Sequence, residues 1–116
     1  MAKTRIVFRG EVWFCNLDGN QGSEQGGVRP VLIIQNDTGN QHSSTTIVLP
    51  ITSKPKHQRV QKFHVPVQLM EPSYILTEQI RTVCKDRLVR KVQDVSQEIL
   101  NEVDDVLKNQ LGMGSW

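Results

Sequence analysis

A chain of 116 residues, 37% hydrophobic and 22% charged, can bury one core and is too short for two. Its formal net charge of +2 is too near zero for composition alone to mark a nucleic-acid binder. No run approaches the ~20 apolar residues of a membrane helix. The N-terminus, Met1-Ala-Lys-Thr-Arg-Ile-Val-Phe-Arg9, is basic but lacks the apolar stretch of a secretory signal, so a soluble cytoplasmic protein is expected. Cys15 and Cys84 have no metal-type spacing, and both are expected to be buried free thiols in a reducing compartment.

In chain order, Val12 to Leu17 is a β-rich run that is apolar on both alternating sets, as in a strand covered on both faces. Asp18 to Gly27 holds four glycines and is a loop, long enough to act as a lid. It runs through Arg29-Pro30 into a second strand, Pro30 to Ile34, whose proline sits at the first position, where a missing N–H does least harm. Pro30 also restricts Arg29 to an extended conformation. Asn36 to Asn40 has the composition of a turn. Thr45 to Ile51 is a third strand that delivers Thr52 at its end. Phe63 to Val67, Tyr74 to Thr77, Gln79 to Cys84 and Leu88 to Val92 are further short strand candidates.

The period then changes. Ile99, Leu100, Val103, Val106, Leu107 and Leu111 fall within an arc of roughly 140° on a helix, interrupted only by Gln110. Ser96 is a good N-cap, Glu98 suits the first turn, and Gly112 is a good stop. Five to seven short strands and this one helix predict a mainly β fold, a small antiparallel barrel with a C-terminal helix against it. The expected unit is a single domain over residues 1–116, with a core of about 8–111 and a tail at 112–116.

The charge is unevenly spread. Ser53 to Lys62 contains Lys54, Lys56, Arg59, Lys62 and His57 without an acid, whereas Asp94 to Lys108 carries five acids against one lysine. A basic loop beside Arg29 favours a polyanion, phosphates above all. Neither a Walker-type GxxxxGK[ST] nor CxxC nor HExxH occurs, so the motifs offer no nucleotide cradle and no metal ligand set. His42, His57 and His64 form no spaced pair and read as surface residues. What remains is Arg29 and Thr52, each where a strand meets a loop. If their strands pair antiparallel, a guanidinium comes close to a hydroxyl. Such a pair suits a phosphodiester: Arg grips two oxygens through its planar fork, and Thr adds one hydrogen bond. RNA carries its own nucleophile in the 2′-OH, so cleavage by internal attack needs orientation and charge stabilisation rather than a metal.

Four stretches carry a resemblance. Arg9-Gly10-Glu11-Val12-Trp13, Gly22-Ser-Glu-Gln-Gly-Gly-Val-Arg-Pro-Val-Leu-Ile-Ile-Gln-Asn36, Ile51-Thr52 and Leu76-Thr-Glu-Gln-Ile-Arg-Thr82 resemble the MazF/PemK family, in particular the MazF-type toxins of Gram-positive bacteria. The resemblance covers about residues 8 to 111. It implies an SH3-like barrel, a homodimer, and a metal-independent endoribonuclease that cuts single-stranded mRNA at short motifs. It implies cleavage by the 2′-OH to a 2′,3′-cyclic phosphate or 3′-phosphate and a 5′-OH. It implies no cofactor. It also implies a MazE-like antitoxin whose tail blocks the RNA groove. The family's essential Arg and Thr fall on Arg29 and Thr52. Ser23, Glu24 and Gln25 in the lid, Lys54, Lys56 and Arg59 in the basic loop, and Gln79 are the further candidates for RNA contact. Trp13 reads as core or dimer packing. The Ser53–Lys62 loop departs from any family pattern. The rival reading is a CcdB-like toxin, which uses the same barrel to bind a protein and cuts nothing.

Overall fold

The computed structural model describes residues 5–18, 27–53 and 62–114. Its elements are β1 (Glu11–Asn16), β2 (Val28–Ile33), α1 (Asp37–His42), β3 (Thr45–Thr52), β4 (His64–Gln68), β5 (Pro72–Leu76), β6 (Arg81–Cys84), a 3-10 turn at Lys85–Arg87, β7 (Leu88–Asp94) and α2 (Gln97–Gln110). The strands pair antiparallel in the order β4-β5-β3-β2-β1-β7, with β6 also on β3, and the sheet curls into a half-barrel.

β3 makes the curl. Thr45 to Val48 pair with β6, Ile51 and Thr52 pair with β5, and the other edge pairs with β2 from Val48 to Pro50. Pro50 falls where β3 has left β6 and not yet met β5, a gap that tolerates a missing N–H. Pro30 is the third residue of β2, not the first as expected. It is tolerated there because the ladder to β3 begins only at Val31.

Two apolar clusters occupy the two faces of the sheet, not the single core expected from chain length, because the curled sheet covers both of its faces. Trp13, Cys15, Val31, Ile33 and Val48 belong to one, and Val12, Leu32, Leu49 and Ile51 to the other. Alternate residues of β1, β2 and β3 thus serve different cores, which is why these runs are apolar throughout. The second cluster is closed by α2, which buries Val103 and packs Ile99, Val106 and Leu107 beside it. Burying one such side chain stabilises the fold by about 1.5–3 kcal/mol. The Ser96 side chain caps α2 by accepting from Ile99 N–H at 3.2 Å. Arg9 ties the helix to the sheet: its guanidinium meets the Asp104 carboxylate and donates through Nε to the Ile34 carbonyl at 3.1 Å. Beside it, Gly10 has φ 93°, and an added Cβ would stand 3.4 Å from Leu100. The position therefore favours glycine for its backbone as well as its bulk.

The stretch read as a turn, Asn36 to Asn40, is instead the start of α1. Asn36 is its N-cap and accepts from Gly39 N–H at 2.8 Å. Turn-forming residues are also good caps, because both uses need a short side-chain oxygen near the backbone. Asn40 is buried and is a hub. Its Oδ1 accepts from Thr46 Oγ1 at 2.6 Å and Gln35 Nε2 at 3.1 Å, and its Nδ2 donates to the Gln35 carbonyl at 2.9 Å. Its own carbonyl accepts from Lys85 Nζ, a lysine only 4% exposed. Trp13, read as packing, is buried, and its Nε1 donates to Glu11 Oε1 at 3.0 Å. Replacing Asn40 by Ala leaves buried partners unmatched and is expected to cost about 3 kcal/mol in urea unfolding. Asn36→Ala should cost about 1 kcal/mol.

Candidate functional site

The antiparallel pairing of β2 with β3 meets the condition on which the Arg29–Thr52 pair depended. The observed register runs Ile33 to Val48, Leu32 to Leu49 and Val31 to Pro50. Continued outward, it brings Arg29 opposite Thr52. Opposed residues of an antiparallel pair share a face, here the face of Cys15, which sits across β1 from Arg29. Arg29 is exposed and Thr52 half-buried. Both stand on the wall of a cavity of about 290 Å³ that opens at this end of the sheet.

The base of the glycine loop is anchored. Leu17 N–H donates to the Gly27 carbonyl at 2.7 Å, and Gly27 N–H donates to Asp18 Oδ1 at 2.9 Å. Gly27 has φ 73°, a conformation that favours glycine. Arg87 Nη1 adds a bond to the Asp18 carbonyl at 2.9 Å. The position of Arg29 therefore rests on β1, on the loop base and on the 3-10 turn, and not on Pro30 alone. Ser23, Glu24 and Gln25, like Lys54, Lys56 and Arg59, lie outside the described residues. Gln79 is described. It follows β5, where its N–H donates to the Leu76 carbonyl at 3.1 Å, and its side-chain Oε1, like that of Gln110, is buried without a hydrogen-bond partner among the described residues.

Two expectations need correction. Cys84 is exposed, because β6 is short and turns its alternate residues outward, and it borders a surface groove with Arg81 and Arg87. His64 was read as a surface residue, yet its side chain is only 8% exposed. Its ring meets Phe63 edge-on, and Nε2 lies 3.4 Å from Glu78 Oε2. The alternation along β4 indicated the face correctly, but the loop after β5 covers it. Sequence reading also missed Phe14, whose ring has the Arg90 guanidinium 4.7 Å from its centroid. Only the β1–β7 pairing brings those two together.

Over residues 8–111 the chain matches the family of PemK-like, MazF-like toxins of type II toxin–antitoxin systems. It belongs to that family. The toxin's fold is shared with MazF from Deinococcus radiodurans at 26% identity, over 94% of this chain and 99% of that one, with a TM-score of 0.81. It is also similar to an endoribonuclease in complex with its cognate antitoxin from a mycobacterial species, at 24% identity over 95% and 98% of the two chains, with a TM-score of 0.79. A MazE–MazF structure from D. radiodurans matches at 21% identity over 95% and 99%, with a TM-score of 0.76. Among the toxin's described residues, no helix is long and apolar enough to cross a membrane.

The two thiols differ in chemistry. Burial pushes the Cys15 thiol up to about 11 from an ordinary 9.0, and the nearby Arg81 and Arg87 oppose the shift only partly. A raised folded-state value favours the protonated thiol in the native state, so this contribution to stability is complete below pH 9 and is lost as pH rises toward 11. Iodoacetamide at pH 8 is therefore expected to modify Cys84 and spare Cys15 in the folded toxin. Peptide mass spectrometry reads this directly, and equal labelling would contradict the burial.

Proposed function

We propose that this toxin is an endoribonuclease that cuts single-stranded mRNA through Arg29 and Thr52. The observation that supports the reading is the β2–β3 register, which, continued two residues beyond the Val31–Pro50 pair, aligns Arg29 with Thr52 at the open end of the sheet. Membership of the toxin family and the endoribonucleases among its structural relatives support it. Arg29 grips two oxygens of the scissile phosphate and stabilises the charge that grows as a fifth oxygen approaches phosphorus. A guanidinium, which keeps its proton in proteins, suits electrostatic work and makes a poor base. Thr52 donates to a phosphate oxygen and fixes the group in line.

The chemistry needs no metal. The 2′-oxygen bonds to phosphorus as its proton passes to solvent water, the bond to the 5′-oxygen breaks, and that oxygen takes a proton from water. The products are a 2′,3′-cyclic phosphate, which water can open to a 3′-phosphate, and a 5′-OH. Ser23, Glu24, Gln25 and Gln79 are assigned to base edges and ribose, since glutamine offers both donor and acceptor. Lys54, Lys56 and Arg59 attract the backbone. The orphaned Gln79 oxygen supports its part in this, because a buried acceptor without a partner is relieved by a ligand N–H. The working form is a cytoplasmic homodimer restrained by a MazE-like antitoxin that occludes the groove.

Incubation with a long single-stranded RNA in EDTA tests this. Discrete cuts are expected, with 2′,3′-cyclic ends. Arg29→Ala should lower the rate about 10²–10³-fold, the scale of losing one oxyanion-stabilising group. Thr52→Ala should lower it about tenfold or more. Uncut RNA with the unmutated toxin would favour the non-catalytic, CcdB-like reading. Light scattering should give a mass near twice the 13.2 kDa of one chain.

A further inference from the structure

We propose that the 290 Å³ cavity beside Arg29 and Thr52 is a nucleobase subsite, seating the base of a nucleotide that adjoins the scissile phosphate. The inference rests on the nuclease reading and deepens it. The geometry of the sheet's end carries it. Arg29 and Thr52 belong to one face by register. Phe14 and Ile51 belong to the opposite face, since Phe14 opposes Pro30 and Ile51 joins the cluster of Val12 and Leu32. The strand ends therefore bring a cationic and an apolar side together, and the cavity is lined from both. A nucleotide has the matching division, with an anionic phosphate and a flat, weakly polar base joined by one sugar.

The apolar side is built as a slot. Phe14, Ile51, Leu69 and Val92 form its walls, and Met70, 85% exposed, stands at its mouth on the β4–β5 hairpin. One face of Phe14 is taken by Arg90 at 4.7 Å, which holds the ring in place without closing the slot. An exposed methionine at the mouth of an apolar cavity is a deformable surface on which a ring can pack. The volume sits near the lower limit of small-molecule sites, which suits one base rather than a longer segment.

The polar groups on the wall select the base. Glu71 is exposed at the hairpin tip. That tip is fixed because the Glu71 carbonyl accepts from Leu69 N–H at 3.2 Å and from Ser73 Oγ at 2.9 Å. With its hydroxyl hydrogen used there, Ser73 offers the cavity an acceptor. A carboxylate and a hydroxyl acceptor favour a base with N–H donors on its Watson–Crick edge. Guanine, with two adjacent donors, matches a carboxylate best, and uracil, with one N–H between two carbonyls, matches worst. The same carboxylate repels phosphate and so keeps the backbone on the Arg29 side.

The test compares unmutated toxin, Glu71→Gln and Val92→Phe, each checked by thermal melting for an intact fold. A randomised single-stranded RNA pool is cut in EDTA, and the ends are mapped. In parallel, non-cleavable 2′-deoxy oligomers carrying each base in turn beside the cut position are titrated by anisotropy. The expected result is that Glu71→Gln lowers discrimination for an amino-bearing base about tenfold at a single position flanking the cut, as losing one good base-edge contact does. Val92→Phe, which fills the slot, should flatten preference at that same position. An unchanged base profile with both variants, in a toxin that cuts RNA, overturns the subsite and leaves the nuclease reading intact. If the unmutated toxin cuts nothing, the nuclease reading fails, and the subsite, defined by the cut position, falls with it.

Discussion

The structure depends on one strand serving three neighbours. β3 pairs with β2 along one edge and passes from β6 to β5 along the other, with Pro50 in the gap. A flat sheet would expose one of its apolar faces. Handing β3 from one ladder to another folds the sheet over, so that β4 and β5 close on one side with α2 and the other side keeps its own core. The fully apolar runs of β1, β2 and β3 are the sequence-level consequence, since each must feed two cores.

The candidate site follows from the same strand. Because β3 is long, its end projects beyond the core and carries Thr52 to the rim. β2 starts at the same rim, and its first residues lie outside the β3 ladder, where Pro30 is tolerated and Arg29 remains exposed. The loop base below is tied by Leu17, Asp18 and Arg87. A rigid sheet end thus holds the cation. Functional groups on rigid elements keep their geometry better than groups on loops.

Charge placement supports the fold as well as the site. Buried polar groups are matched in networks: Glu11 with Trp13 and the Phe8 N–H, and Asn40 with Thr46, Gln35 and Lys85. Lys91 joins Glu11 at 3.1 Å, and its hydrogen bonds to Glu11 and then Asp94 hold its pKa up. Gln79 departs from this pattern. Its side-chain oxygen and that of Gln110 on α2 are buried without a hydrogen-bond partner among the described residues.

Local pattern determined a great deal. Strand periodicity and the capped amphipathic helix were legible, because each depends on residues near one another in the chain. The family resemblance was legible for the same reason, in contiguous blocks. The tertiary structure decided what depends on which strands meet. It made a helix of the Asn36–Asn40 stretch, whose residues suit caps and turns alike until Thr46 and Lys85 supply partners. It exposed Cys84, largely buried His64, and gave Lys85 a buried role that no neighbouring residue foretold. It brought Arg90 over Phe14 through the β1–β7 pairing and set a slot beside Arg29 and Thr52. Strand pairing is a long-range choice, settled by total burial across the sheet, so no window of sequence contains it.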